Sequence, residues 1–219
     1  MVLIALPPAP VSLARTPTLG AKATYAMRAT IDLGPRGEVR YSGKVDETVK
    51  AVEKDLLTTT VEATTTVEAM SVSRQGRPIV SDRVERLDGT LVTAARPDEV
   101  VLFATARVDR LRGFYVPGKP VELGGSWWHT EGRSEPGKAP PFSSYLKLEG
   151  EEKVGARDTW RVSLDANEVE DEHPTHVKAM LWIDKADGAL ERGQWQIEGF
   201  TYSATAPPST ARLELSRTD

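Results

Sequence analysis

The sequence predicts an all-β fold built as an antiparallel meander, and three observations lead there. From Lys22 onward, apolar and polar residues alternate with a period of two, the spacing of a strand with one buried face. The alternating runs are rich in β-branched residues, with Thr58-Thr59-Thr60 and Thr64-Thr65-Thr66 as the densest clusters. Turn signals separate the runs, and Asp88-Gly89 and Asp187-Gly188 are the sharpest hairpin signals among them.

Taken from the start, Met1 to Ala14 (MVLIALPPAPVSLA) is apolar and uncharged and ends in small residues, Ser12-Leu13-Ala14. This resembles the apolar region and cleavage end of a secretory signal, although a basic start is missing and prolines interrupt it. The alternative is a disordered leader, or a first strand with a Pro-rich entry. Residues 1–19 are set apart on this basis as a signal-like or disordered leader, and residues 20–219 as the β domain. The apolar run falls short of the about 20 residues that a transmembrane helix needs.

The first strand is expected where Ala23, Tyr25, Met27, Ala29 and Ile31 alternate with polar neighbours before the Gly34-Pro35-Arg36-Gly37 turn. Val39, Tyr41, Gly43, Val45, Glu47 and Val49 continue the rhythm imperfectly. Val45, Val49, Val52 and Leu56 also fall at helical spacing. Two strands joined near Glu53-Lys54-Asp55 are preferred, because the threonine clusters that follow are poor helix formers. Later runs are Arg83 to Leu87, Thr90 to Ala94, Val100 to Val108, Ser144 to Leu148, Thr159 to Leu164, His176 to Asp184, Leu190 to Glu198 and Thr210 to Leu215. Together they predict about ten or more strands, arranged as a curled half-barrel or a two-sheet sandwich.

Composition narrows the function classes. The chain has 219 residues, 39% hydrophobic and 27% charged, as expected of a soluble globular protein rather than a disordered one. Its 28 Lys+Arg against 32 Asp+Glu give a net charge of -4, with no basic footprint for nucleic acid. With 0 Cys there is no disulfide frame, thiol nucleophile or thiolate zinc site. Landmarks such as Leu19-Gly20 and Leu123-Gly124, or Asp88-Gly89 and Asp187-Gly188, recur at an offset of about 100 residues. They suggest two similar halves, 20–115 and 116–219, although such dipeptides are common enough to recur by chance.

The segment Val116-Pro117-Gly118-Lys119-Pro120-Val121-Glu122-Leu123-Gly124-Gly125-Ser126-Trp127-Trp128 carries a P-V-x-x-G-x-x-W signature. It resembles the mid-chain signature of a family of exported bacterial all-β domains without assigned activity. Tyr145 to Gly155 and Trp182 to Leu190 are similar to the remainder of such domains. The resemblance implies an extracytoplasmic all-β domain (periplasmic, in the cell envelope or secreted) and brings no catalytic residue with it.

Candidate chemistry is sparse. His173 and His176 lie in an acidic stretch, and with Glu172 they form the one candidate metal set. Pro174 prevents a regular helix from aligning the two imidazoles, and a solvated hairpin loop is the preferred reading. His129 follows two tryptophans and is expected to face outward or to satisfy a backbone carbonyl. Ser126 lacks the second glycine of a G-x-S-x-G elbow. Neither a dinucleotide nor a P-loop glycine frame is present, and no cofactor is expected. Arg107, Arg110 and Arg112, interrupted by Asp109, are expected to form a salt-bridged strand face. Adjacent Trp127 and Trp128 must point to opposite sides of their strand, while Trp160, Trp182 and Trp195 sit in separate later strands. Aromatic residues of this kind fill cores or line apolar pockets.

The sequence thus leads to an exported, non-catalytic β domain binding an apolar or amphipathic ligand, or an envelope partner, through Trp127, Trp128, Trp160, Trp182 and Trp195. The expected partner is an apolar small molecule, a lipid or an envelope protein, with no nucleic acid and no transmembrane span. The rival classes are a metal-dependent hydrolase using His173, His176 and Glu172, and a purely structural or adhesive module.

Overall fold

The computed structural model describes residues 9–69, 72–95, 109–132, 140–169, 173–200 and 208–219. Strands β1 (Lys22–Asp32), β2 (Glu38–Glu53), β3 (Leu56–Ala69), β4 (Val72–Gln75), β5 (Ile79–Arg86) and β6 (Leu91–Ala95) precede a long crossover. After it come β7 (Ser126–Glu131), β8 (Phe142–Val154), β9 (Arg157–Glu168), β10 (His176–Asp184), β11 (Leu190–Phe200) and β12 (Ser209–Arg217). All belong to one antiparallel sheet rather than to a sandwich, in the order β6-β5-β3-β2-β1-β12-β11-β10-β9-β8-β7. The sheet is curled like a half-barrel and does not close.

Neighbours in sequence pair in space except β4 with β5 and β6 with β7, and one further pairing joins the two ends of the chain. β1 pairs with β12, from Tyr25 opposite Arg217 to Asp32 opposite Thr210. The two ends of the domain therefore meet in the middle of the sheet, and its free edges, β6 and β7, come from the middle of the chain. β4 and β5 lie end to end along the same side of β3. Gly76-Arg77-Pro78 interrupts them, where proline has no N–H to give the ladder.

The preferred strand–turn–strand reading around Glu53 holds. Lys54 takes the turn at φ 53°, and Glu53 pairs with Leu56. Both Asp-Gly hairpins form, but not with type I′ geometry, because positive φ is confined to Gly89 and Gly188. The aspartates serve another purpose: Asp88 Oδ1 accepts from Thr90 N at 2.9 Å, and Asp187 Oδ1 from Ala189 N at 2.8 Å. The short strand β4 escaped the sequence reading. The Val100 to Val108 run lies outside the described residues, as does Arg107. Residues 109–111 are helical, so Arg110 and Arg112 leave a helical turn and not a strand face.

One face of the sheet looks into the hollow. β8 alternates strictly, burying Phe142, Ser144, Leu146 and Leu148. Phe142, Leu146 and Leu148 join Val162, Leu164, Val177, Leu181, Ile183, Trp195, Ile197 and Leu215 in a single apolar cluster, completed by Leu111, Tyr115 and Val121 of the crossover. The cluster is weighted toward β8–β12. Across β4–β6, by contrast, Val72, Ile79, Val80 and Val92 are exposed.

Leu146 is 0% exposed at the centre of that cluster. Leu146→Ala should cost about 2–5 kcal/mol of stability, the usual range for a buried leucine truncation. Urea denaturation checks this as a lower midpoint with an unchanged slope. A shift under about 1 kcal/mol would place the stabilising contacts elsewhere.

Candidate functional site

The inner face of the sheet and the segments laid across it enclose a cavity of about 220 Å³. Its apolar wall is built by alternation: Ala23 and Tyr25 on β1, Leu57 on β3, Leu181 and Ile183 on β10, Trp195 on β11 and Leu215 on β12. Beside these residues stands a set of charges at positions where the pleat turns a polar residue inward, Glu47 across the ladder from Ala23 and Glu85 from Leu57. Glu47 interrupts the inward series Val45, Glu47, Val49 on β2, and Arg83 and Glu85 both point inward from β5. Arg15, Asp109 and Arg112 come from outside the sheet.

These charges are paired. Arg83 reaches Glu47 at 3.1 Å and Glu85 at 3.2 Å, Arg15 reaches Glu85 at 2.9 Å, and Arg112 reaches Asp109 at 2.7 Å. At the far side Arg217 binds Glu191 at 2.9 Å and Asp219 at 2.9 Å, while Arg157 meets Asp184 at 3.1 Å. Burial is the largest influence on most of them. It pushes the Tyr25 hydroxyl far above the usual tyrosine range, with Glu47 adding to the effect. It also raises the Glu191 carboxyl, which Arg217 and Arg157 only partly oppose. Glu85 goes the other way: burial would raise it, but Arg83 and Arg15 together hold it below the ordinary glutamate value.

A second cluster fixes the crossover to the edge strand β7. The Tyr115 ring stacks on His129 at 3.7 Å and 8°, and the Tyr115 hydroxyl donates to the Arg110 carbonyl. Glu131 then takes His129 Nε2 at 3.1 Å and Arg110 at 3.0 Å. His129 therefore faces inward, contrary to expectation, because it shares the inner face of β7 with Trp127 and Glu131. Trp127 Nε1 donates to the Tyr115 carbonyl at 2.8 Å.

Of the five tryptophans, Trp195 lines the cavity, and its Nε1 donates to the Arg112 carbonyl at 3.1 Å. Its indole lies over Gly193, where an added Cβ would sit 1.9 Å from the ring. Trp127 and Trp160 pack against the apolar cluster, the latter with the Lys185 ammonium 4.0 Å from its ring. Trp182 is buried on the outer face beneath Arg192, at 5.0 Å. Trp128, 67% exposed, leans on Tyr145 outside the sheet. The five do not converge on one pocket, since each strand's pleat decides its face.

His176 is held by Asp165 at 2.8 Å, with Glu198 4.0 Å away, and His173 is exposed at the start of its loop. Glu172 lies outside the described residues. Among the described residues, no group of three His, Asp or Glu side chains is placed to hold a metal, and no helix is long and apolar enough to cross a membrane. Ser126 is exposed at the head of β7. The cavity charges were missed by the sequence reading. A charged residue at an inward position of an alternating run was the available signal, and it was visible at Glu47.

No family model matches the chain, and no curated protein matches it. Among solved structures, it is similar to one from Vibrio parahaemolyticus described as an outer membrane lipoprotein-sorting protein domain. Identity is 8%, covering 90% of this chain and 83% of that one, with a TM-score of 0.23. Likeness at this level says nothing of function.

Glu85 generates a pH prediction. A carboxylate held low in the folded state contributes stability that is fully present above its unfolded value, about 4.3. That contribution is lost as pH falls through the lower folded value. Glu85→Gln should be less stable than the parent at pH 7, and urea midpoints of the two should converge as pH falls below about 4. A gap that stays constant with pH would mean that Glu85 acts by packing alone.

Proposed function

We propose that this protein is a non-catalytic β domain of the cell envelope that holds an apolar or amphipathic ligand in the hollow of its sheet. The observation that carries this reading is the cavity's mixed lining, in which apolar side chains and paired charges share one inner surface. A wall of Leu57, Leu181, Ile183, Trp195 and Leu215 offers a chain-like ligand an apolar surface. The arginines and carboxylates set beside them offer hydrogen bonds to a polar head while cancelling one another's charge. Tyr25 stays protonated at every physiological pH and can donate to such a head.

A binding role suits this arrangement better than a catalytic one. Arg15, Arg83, Arg112 and Arg217 are all committed to ion pairs, and they cannot act as proton acceptors. Among the described residues, no cavity serine or threonine hydrogen-bonds to a histidine or carboxylate: Thr59, the buried hydroxyl there, lines the cavity with Leu57 and Tyr25. The envelope assignment is supported by the resemblance of the Val116 to Trp128 segment to exported all-β domains.

N-phenyl-1-naphthylamine, an apolar fluorophore, tests the reading directly. The wild-type protein should give a saturable fluorescence rise at one site per chain. Ala23→Trp, which places an indole into the hollow, should weaken binding by about tenfold or more with the sheet intact by circular dichroism, since the occupied volume is no longer free. Absence of saturable binding by the wild-type protein, or equal binding by the filled variant, would overturn the assignment of the cavity.

A further inference from the structure

Residues 9–19 lie outside the sheet, and they form part of the cavity wall through Arg15, Pro17 and Thr18. Their course is set by a few separate contacts. Val11 exchanges two backbone hydrogen bonds with Val121, both 2.9 Å, next to the β7 edge. Leu13 is 4% exposed. The Ala14 carbonyl crosses directly over Gly188, where an added Cβ would lie 2.0 Å from the oxygen, so that only glycine lets the chain pass. Thr16 N donates to the Asp187 carbonyl at 2.8 Å, and the Arg15 guanidinium reaches over to Glu85 at 2.9 Å. Gly20 N finally donates to Val49 O at 3.0 Å, where the chain enters the sheet.

The partners of this segment belong to opposite parts of the molecule. Glu85 is on β5, beside the free edge β6, whereas Asp187 and Gly188 form the β10–β11 hairpin on the other half. The segment spans the open side of a half-barrel that has no strand there to close it. Its attachment is also much weaker than that of the sheet it spans. Three backbone hydrogen bonds tie Val11 and Thr16 to their partners, whereas β1 alone lies between full ladders to β2 and β12. Segments with few backbone bonds and little packed apolar area open at a lower free energy than the fold as a whole.

The geometry points to residues 9–19 as a detachable strap that gates the cavity, with the Arg15–Glu85 ion pair as its latch. The latch is suited to release. When Arg15 leaves, Glu85 keeps Arg83 at 3.2 Å and no carboxylate is stranded in the interior. Arg15, 19% exposed at its side chain, needs only a small displacement to regain water. The gate concerns access to the hollow and does not depend on which ligand occupies it.

The lack of cysteine makes a direct test available, because a single introduced thiol is the only one in the chain. Thr59→Cys places it in the cavity wall at a site 4% exposed, and Ala23→Cys gives a second position on the same wall. Ser144→Cys places it at a site 0% exposed in the core away from the cavity, where only general loosening of the fold would reveal it. Labelling by N-ethylmaleimide is followed by mass spectrometry in each background, with Arg15 or with Arg15→Ala. Arg15→Ala should raise the rate at Thr59→Cys and Ala23→Cys by about tenfold, the size expected for losing one partly buried charged hydrogen bond, and leave Ser144→Cys unchanged. Equal acceleration at all three would mean that Arg15 merely stabilises the fold, and no acceleration at the cavity positions would mean that the strap is not the gate. Either result overturns the proposal. Because no ligand is used, neither result depends on the outcome of fluorophore binding.

Discussion

The β1–β12 ladder is the pairing on which the rest of this structure depends. Without it the chain is two separate meanders, each with an apolar face and nothing to pack against. With it, Ala23, Tyr25 and Met27 continue the inner surface begun by Leu215, Leu213 and Ala211, and the curl of one half extends into the other. The same ladder moves the free edges to mid-chain. The open side is therefore spanned by a crossover and a leader segment rather than by a strand, and a space between sheet and covering segments is the result.

Charges in that space follow from its incomplete closure. A fully packed core would exclude Arg83, Glu85 and Glu47, because an ion loses its hydration on burial and must recover it from partners. Here each carboxylate meets at least one guanidinium, and Arg83 meets two carboxylates. The interior is accordingly neutral as well as partly polar. Its lining is mixed in kind: apolar residues come from β1, β3 and β10–β12, and charged ones mostly from β2, β5 and the segments outside the sheet. The core is asymmetric as well, since β8–β12 supply most of its buried apolar residues while β4–β6 expose valine and isoleucine.

Much of the architecture was legible because strand periodicity is a local property. β10 was delimited as His176–Asp184 from its run alone, and the Glu53-Lys54-Asp55 turn was found through the poor helix propensity of the threonines after it. Trp127 and Trp128 were correctly sent to opposite faces by the pleat. The Asp-Gly hairpins were found for an incomplete reason, since aspartate works there through its side chain rather than through positive φ. The site was less legible. Tryptophan is conspicuous in a sequence, yet Trp195 reaches the cavity while Trp128 faces solvent, and nothing local distinguishes them. Arginine and glutamate at inward positions look like ordinary surface residues until the opposite wall is known.

The sequence by itself determined most of the strands, most of their turns and which residues of a strand share a side, because these are set by neighbours within a few positions along the chain. Tertiary structure decided which strands meet across the sheet, that β1 and β12 join it into one surface, and that Arg15 lies against Glu85. Contacts between residues so distant in the chain depend on the summed curl of every intervening strand, and no local pattern carries that sum.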